Sequence, residues 1–498
     1  MRRPLLYFAV LLASGILASE HAPGGRFVLG AGLTAAAAAL IFGRIRAVGA
    51  GLAATAALAL GWARGDDARR VPSNHLSDVP VGYAGFQGRI VRPFKKYKFF
   101  SSAWVETDSA FTDGQAFSVS GRILLKITSS TDFDYIPDGA TVRFFGRFKS
   151  VDLAVEHAGF LGYLKLQRIT HEATAKGVVV VSHSGLRADL WRIRRFFAAP
   201  FEQKLTDARI RGVALALILG ERAELDPELR AAYAAGGAAH ILALSGAHLM
   251  MLSLLIQRLT ALMKLLPGGR TAATFLLVAL LMGYALMTGA APSVVRAAWT
   301  ASLLALAPLV YRRADPLNVL GAAFSLQILY DPFVLYDWGF QLSYAAVAGI
   351  LLLVPALEGK KFKHKIAKAA WDLAAVSLAA QLFTLPFVLY YFGQFPVHFL
   401  WVNLALFPLV GLAMPVGFAL AALGRMPFAS DALAVALAAA ISVMNALTTT
   451  VAGWEHSIWH AKLDRPWQAW ALAATLLAAT LLFRRLRFGK SDDARPPS

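Results

Sequence analysis

The stretch FLLVALLMGYALMTGAAPSVVRAAWTASLLALAPLV, residues 275–310, carries one charged side chain, Arg296. With its edges it forms two runs, 273–290 and 293–311, each close to the ~20 apolar residues a helix needs to cross a hydrocarbon core of about 30 Å. Pro292 suits the first turn of the second run, where the amide that proline lacks would have no helical partner anyway. The stretch reads as two successive membrane spans. Working outward, comparable runs lie at 4–19, 27–42, 47–63, 238–257, 316–331, 338–357, 371–391, 403–423, 431–451 and 467–485, which gives about twelve spans. A chain of 498 residues that is 57% hydrophobic and 16% charged is far more apolar than a soluble domain. The predicted class is a polytopic α-helical membrane protein with a polar segment inserted after the first three spans.

The net charge of +19 has two sources that position separates. Alternate short loops hold 19 cations, from Arg2, Arg3, Arg44 and Arg46 through Lys360–Lys368 to Arg484, Arg485, Arg487 and Lys490, whereas the opposite loops offer only Arg26, Lys462 and Arg465. Lys and Arg concentrate on the cytoplasmic side of bilayers. Both termini are therefore expected in the cytoplasm, and residues 64–210 outside it. Arg2 and Arg3 before an apolar run also resemble a signal peptide, whose cleavage would leave this topology unchanged. Cysteine is absent, which removes disulfides, thiolate metal sites and cysteine nucleophiles from consideration.

The polar segment has its own pattern. Between 81 and 182 the runs GYAGFQGRIV, FFSSAWVET, AFSVSGRILLKI, TVRFFGRF, LGYLKLQRIT and GVVVVS are bounded by Gly, Pro, Asp and Ser, as strands are. Six short strands in so small a space suit an all-β, OB-like extracytoplasmic domain over 65–185. Residues 186–210 read as a basic amphipathic helix on the membrane surface. The run at 213–220 is too short to span and is expected to be re-entrant or packed against the bundle. The expected organisation is thus 1–64 helices, 65–185 barrel, 186–210 interfacial helix, 211–486 transmembrane domain and 487–498 cytoplasmic tail.

Over 64–210 there are 22 Lys plus Arg against 15 Asp plus Glu, a surplus on the side where topology does not require it. Arg89, Arg92, Lys95, Lys96 and Lys98 cluster with Phe94, Tyr97, Phe99 and Phe100, and Arg122, Arg143 and Arg147 lie on other predicted strands. Cations that neutralise phosphates beside rings that stack on bases suit single-stranded nucleic acid. A solvated basic face over an aromatic core would give the same composition.

Four segments carry a family resemblance: ALILGERAELDPELRAAYAAGGAAHILALSGAHLMML, TGAAPSVVRAAW, DPLNVLGAAFSLQILYDPFVLYDWGFQLSYAAVAGI and AAQLFTLPFVLYYFGQFPVHFLWVNLALFPLV. In this order they resemble the competence domain of the ComEC family of bacterial DNA-uptake channels, and the polar segment resembles that family's OB-like module. The resemblance covers roughly residues 1–485. It implies passage of a single strand of transforming DNA into the cytoplasm, with membrane lipids, a periplasmic DNA receptor and a cytoplasmic motor as partners. Many family members carry a C-terminal metallo-β-lactamase-like domain. None of the 11 His residues here falls in an H-x-H-x-D-H pattern, so a separate nuclease is expected to degrade the other strand. No G-x-S-x-G or GKS/GKT motif is present, and neither enzymatic activity nor a cofactor or metal is expected. The oligomeric state is left open.

Polar residues inside the spans mark the candidate DNA path. Ser293 and Arg296 follow Pro292 at a helix N-terminus, where amide dipole and guanidinium together suit a phosphate; snorkelling of Arg296 to headgroups, or pairing with Asp337, would explain it equally well. Ser245 and His248 stand three apart, as on one helical face, with Gly246 permitting close approach. Gln341, Gln381 and Asn403 bring amides into hydrocarbon, as lining of the path or as glue between helices. Pro386, Pro396 and Pro408 suggest broken or kinked helices, and Trp454, Trp459, Trp467 and Trp470 an interfacial belt. Two other classes remain: a secondary transporter of a small anion or lipid, which would be expected to show two related halves, and a non-transporting assembly protein acting through its barrel.

Overall fold

The computed structural model describes residues 4–18, 56–67, 74–79, 81–96, 100–112, 115–128, 138–151, 169–310, 314–357 and 362–488, with two isolated positions between. The run expected at 27–42, and the tail beyond 488, lie outside the described residues. Two compact units result: a helical one from Met1–Asp66 and Pro200–Ser498, and a sheet one from Asp67–Ala199.

In the sheet unit, β1 (Gly82–Lys96), β2 (Ser101–Thr112), β3 (Gln115–Ile127), β4 (Thr141–Ser150), β5 (Ile169–Ala175) and β6 (Val179–Ser182) form one sheet. β1 pairs antiparallel with both β2 and β4, β3 runs parallel to β5, and β5 pairs with β4. Five strands therefore close in the ring β1-β2-β3-β5-β4-β1, with β6 added to β4. Closure follows from alternation. In TVRFFGRFKS, Val142, Phe144 and Phe148 point inward and Arg143, Phe145, Arg147 and Lys149 outward, as a period of two requires. The inward set meets Phe86, Ile90, Val105, Ile123 and Leu125 in one core, where the Phe86 ring lies 4.8 Å from that of Phe148. Of the strand expected at 161–170, Ile169 and Thr170 fall in β5 and Leu164 is helical, while 161–163 and 165–168 lie outside the described residues. The buried positions of β5 are Ile169, His171, Ala173 and Ala175, too small and too polar to announce a strand.

The helical unit begins with α1 (Pro4–Ala18) and a helix α2 over 56–67. α3 (Leu186–Lys204) follows the sheet, most of it in the sheet unit, and then come α4 (Ala208–Leu219), α5 (Pro227–Ala235), α6 (Gly246–Leu259), α7 (Gly269–Met287), α8 (Pro292–Val310), α9 (Pro316–Tyr330), α10 (Trp338–Leu357) and α11 (Lys365–Tyr391). They are followed by α12 (Phe399–Leu423), α13 (Pro427–Ala452) and α14 (Pro466–Phe488), with short strands β7 (Gln394–Pro396) and β8 (Ile458–His460) pairing between them. Among the described residues seven helices, α7, α8 and α10 to α14, are long and apolar enough to cross a membrane, while α1 and α9 are shorter apolar helices. Three Asp-Pro steps punctuate the chain. Asp226, Asp315 and Asp331 each accept from backbone amides of the following turn, with proline at the first helical positions, the arrangement that satisfies orphan donors at a helix start.

Two expectations change, and for the run at 213–220 one of the two alternatives holds. The run at 238–257 is helical only from Gly246, and α6 has 14 residues, about 21 Å of helix against a core of about 30 Å. Pro386 and Pro408 lie inside unbroken helices, and Pro396 lies in β7, so none of the three breaks a span. α4 is buried from Gly212 to Leu219; it packs within the bundle, and Tyr284 donates to the Ile218 carbonyl at 2.7 Å.

Candidate functional site

The segment 239–245 is non-helical and leads into α6, while α8 begins at Pro292. Ser293 Oγ donates to the Leu244 carbonyl at 3.1 Å, which ties the two helix starts together. Ser245 is not on a helical face. It is the N-cap of α6, with extended backbone; its N–H donates to His248 Nδ1 at 3.1 Å and its Oγ lies 2.7 Å from the same atom. The pair closes the helix end locally, as a capping box does. Because Nδ1 accepts from an amide, the ring proton belongs on Nε2. His248 is 3% exposed, and among the described residues that Nε2 has no partner.

Arg296 lies one turn into α8 and is 5% exposed. It neither snorkels nor pairs with Asp337. Its Nε donates to Ser343 Oγ on α10 at 2.7 Å, and its guanidinium carbon sits 5.9 Å from the Tyr344 ring centroid. Gly246 supplies the remaining space: a Cβ there would stand 2.8 Å from an Arg296 Nη. Among the described residues no carboxylate meets this cation. Asp337 instead accepts from the Phe340 amide at the start of α10. Tyr344 extends the polar contacts away from the arginine, donating to Gln327 Oε1 at 2.7 Å, while Gln327 Nε2 donates to the Pro292 carbonyl at 3.0 Å. α8, α9 and α10 are thus joined by a chain of uncharged partners around one charge.

Ser245, His248, Ser293 and Arg296 therefore come together. Gln341, Gln381 and Asn403 do not touch the guanidinium. Gln341 donates to the Leu335 carbonyl at 2.8 Å and accepts from Tyr391 at 2.9 Å, which bonds α10 to α11. Gln381 is half-buried on α11. Asn403, on α12, has a buried Oδ1 without a partner among the described residues, and Ser302 Oγ on α8 is in the same state. Sequence reasoning missed Ser343, Tyr344, Gln327 and Ser302. The signal for Ser343 was present two residues after Gln341, but positions two apart point to opposite sides of a helix.

On the barrel, Arg89 faces outward on β1. Arg122 pairs with Glu106 at 3.4 Å, and Lys126 and Lys149 both pair with Glu172, at 2.8 and 2.9 Å. Burial alone would raise the Glu172 carboxyl; bonds from the two lysines outweigh it and hold the group below the ordinary range. Arg143 donates to Gln87 Oε1 and lies 4.9 Å over the Phe111 ring, and Arg147 is exposed on the same face of β4. Arg92, Lys95 and Lys96 are placed by their backbone in β1, and Lys98 lies outside the described residues. The side chains of the basic aromatic cluster expected around them lie for the most part outside the described residues. The most exposed rings of the sheet are Tyr83 (85%) and Phe145 (66%), with Phe117 at 39%.

Among the described residues, seven membrane-length helices, a closed sheet unit and a buried arginine that meets no carboxylate define a polytopic membrane protein. A family model described as Competence protein matches residues 217–488, more than half of the chain. The chain belongs to this family, the ComEC-type competence proteins whose motifs its sequence resembles. It is 32% identical over 208 residues to ComE operon protein 3 of Bacillus subtilis (strain 168), a match covering 42% of this chain and 26% of that protein. It is 32% identical over 170 residues to an uncharacterized protein of Aquifex aeolicus (strain VF5), covering 34% and 39%. The chain thus matches well under half the length of either relative. No solved structure matches it.

Proposed function

We propose that this protein is an inner-membrane channel that passes single-stranded transforming DNA into the cytoplasm during natural competence. One observation carries the reading. Arg296 keeps its proton at any accessible pH, is 5% exposed, and meets a hydroxyl and a ring face but no carboxylate among the described residues. A buried charge without a partner is expensive, and such a site favours any anion that reaches it. For a competence protein the anion to be moved is a phosphodiester, which a guanidinium binds by charge-assisted hydrogen bonds. The unpartnered His248 Nε2 and Asn403 Oδ1 add polar groups able to bond water or a passing strand.

The rest of the proposal is architectural. In this reading the chain crosses the membrane about twelve times, with both termini in the cytoplasm and the sheet unit outside. The ring β1-β2-β3-β5-β4 with parallel β3 and β5 is read as an OB-like barrel, a fold that binds oligonucleotides, set to receive DNA before it enters. A periplasmic receptor, a separate nuclease and a cytoplasmic motor complete the pathway, and the chain itself catalyses nothing. Uptake of labelled DNA by cells carrying Arg296→Gln or Gln381→Leu, with expression verified, tests the reading. Uptake is expected to fall at least tenfold in the first and to drop in the second. Wild-type uptake in both would remove the channel assignment.

A further inference from the structure

The sheet unit divides its cations into two groups. Towards β3 and β5, Arg122 and Lys126 on β3, and Lys149 at the far end of β4, are engaged by Glu106 and Glu172, so little net charge is left there for a polyanion. On the side formed by β4, β1 and β2, Arg143 bonds an uncharged amide and Arg147 has no carboxylate partner among the described residues. The two most exposed rings of the sheet, Tyr83 and Phe145, lie on this second side, while Phe117 on β3 is less exposed. Phe145 stands opposite Gly85 in register, and a Cβ on Gly85 would collide with its ring, so the ring rests on bare backbone with its outer face in solvent. Phe111, 6.5 Å from Phe145, and Tyr83 complete a shallow cavity of about 280 Å³. Thr112 also lines it, with a buried Oγ1 that has no partner among the described residues.

We infer that this β4–β1–β2 face is a base-stacking platform for single-stranded nucleic acid, with Tyr83, Phe111 and Phe145 receiving bases and Arg143 and Arg147 the adjoining phosphates. The inference rests on the DNA-uptake reading and adds to it where on the barrel the strand is held and which form of DNA is chosen. Rings lying flat against a sheet accept any base, because every base has a π-face, and they reject duplex, whose bases are already stacked. The face differs from the β2–β3 side that OB-type barrels commonly use; in this chain that side has its cations neutralised. A concave floor with an arginine over a ring suits planar ligands better than acyl chains, into which apolar side chains would have to project.

The test uses the full-length protein in lipid nanodiscs, a labelled oligo-dT, a blunt duplex of the same length, and heparin as a polyanion without bases. Tyr83 and Phe145 are exposed, so Tyr83→Ala and Phe145→Ala leave the core intact. Each is expected to weaken oligo-dT binding about tenfold, with heparin binding and the salt dependence unchanged. Arg147→Gln should make the dependence of log affinity on log salt shallower by about 0.7, and Arg122→Gln should leave it as it was. Oligo-dT affinity within twofold of wild type in the Tyr83→Ala/Phe145→Ala double variant overturns the platform, as does an equal loss for heparin. A fluorophore on Ser109→Cys, beside the platform on β2, that is quenched by spin-labelled lipid without DNA would assign the face to the membrane instead. Uptake lost in Arg296→Gln but normal in the double aromatic variant would sink the platform and leave the channel standing.

Discussion

Arg296 is the residue at which stability and function pull apart. A cation held by one hydroxyl and a ring face contributes less than the water it left, and replacing buried ionic groups with apolar ones of similar volume is often neutral or stabilising by about 1–4 kcal/mol. Arg296→Leu is therefore expected to raise the melting temperature of the purified protein while abolishing DNA uptake; a lowered melting temperature would mean that the guanidinium is structural. Gly246→Ala tests the same spot from across the interface. Its methyl would stand 2.8 Å from the Arg296 Nη, so uptake should fall severalfold with little change in stability, and Gly246→Ala with normal uptake would show that this contact does not matter. The sequence made the charge legible, because a lone arginine in an apolar run is conspicuous. Its partner was not legible, since Ser343 is an ordinary residue until α10 is rotated against α8.

At the scale of elements, β5 shows how burial and charge set a pH limit. Glu172 is held below its ordinary range, burial being outweighed by Lys126 and Lys149. His171 beside it is held below 6.5 by burial first and by His75 second. Both groups are depressed in the folded state, so each contributes stability that is full above its unfolded pKa and is lost as pH falls. Histidine acts first, below about 6.5, and the carboxylate below about 4.5. Hydrogen exchange of β5 amides in the full-length protein, corrected for intrinsic rates, should show opening growing easier from pH 7 to 4, and Glu172→Gln should flatten the lower part of that trend. An unchanged profile would mean that the ion pairs carry no weight. Close packing sets a second limit between α10 and α11, where a Cβ on Gly349 would lie 2.6 Å from the Ala379 carbonyl oxygen; Gly349→Val should cut the yield of folded protein sharply, and normal yield would show that the helices can separate. Long apolar helices were legible from hydropathy alone. The break at 239–245 was not, because its residues are as apolar as the helix they precede, and neither was β5, whose inward residues include His171 and two alanines.

Over the whole molecule, composition identified a membrane protein with a polar insertion, and strand-like runs bounded by Gly, Pro, Asp and Ser anticipated five of the six strands. The family resemblance read from four motifs agrees with the match over residues 217–488. What composition could not supply was the meeting of α6, α8 and α10 around one cation, which depends on how helices distant in sequence rotate against each other. The central claim is that this meeting point opens to water when DNA passes. The native chain has no cysteine, so Ser343→Cys, a near-isosteric change, gives a unique thiol beside Arg296. Labelling of that thiol by a charged, membrane-impermeant reagent in cells taking up DNA, compared with Leu412→Cys on the exposed surface of α12, tests the claim most directly. The thiol at 343 is expected to react and to be protected by a strand stalled in transit, and the thiol at 412 to stay unreacted throughout. A position 343 that never reacts while uptake proceeds at the normal rate would contradict the claim.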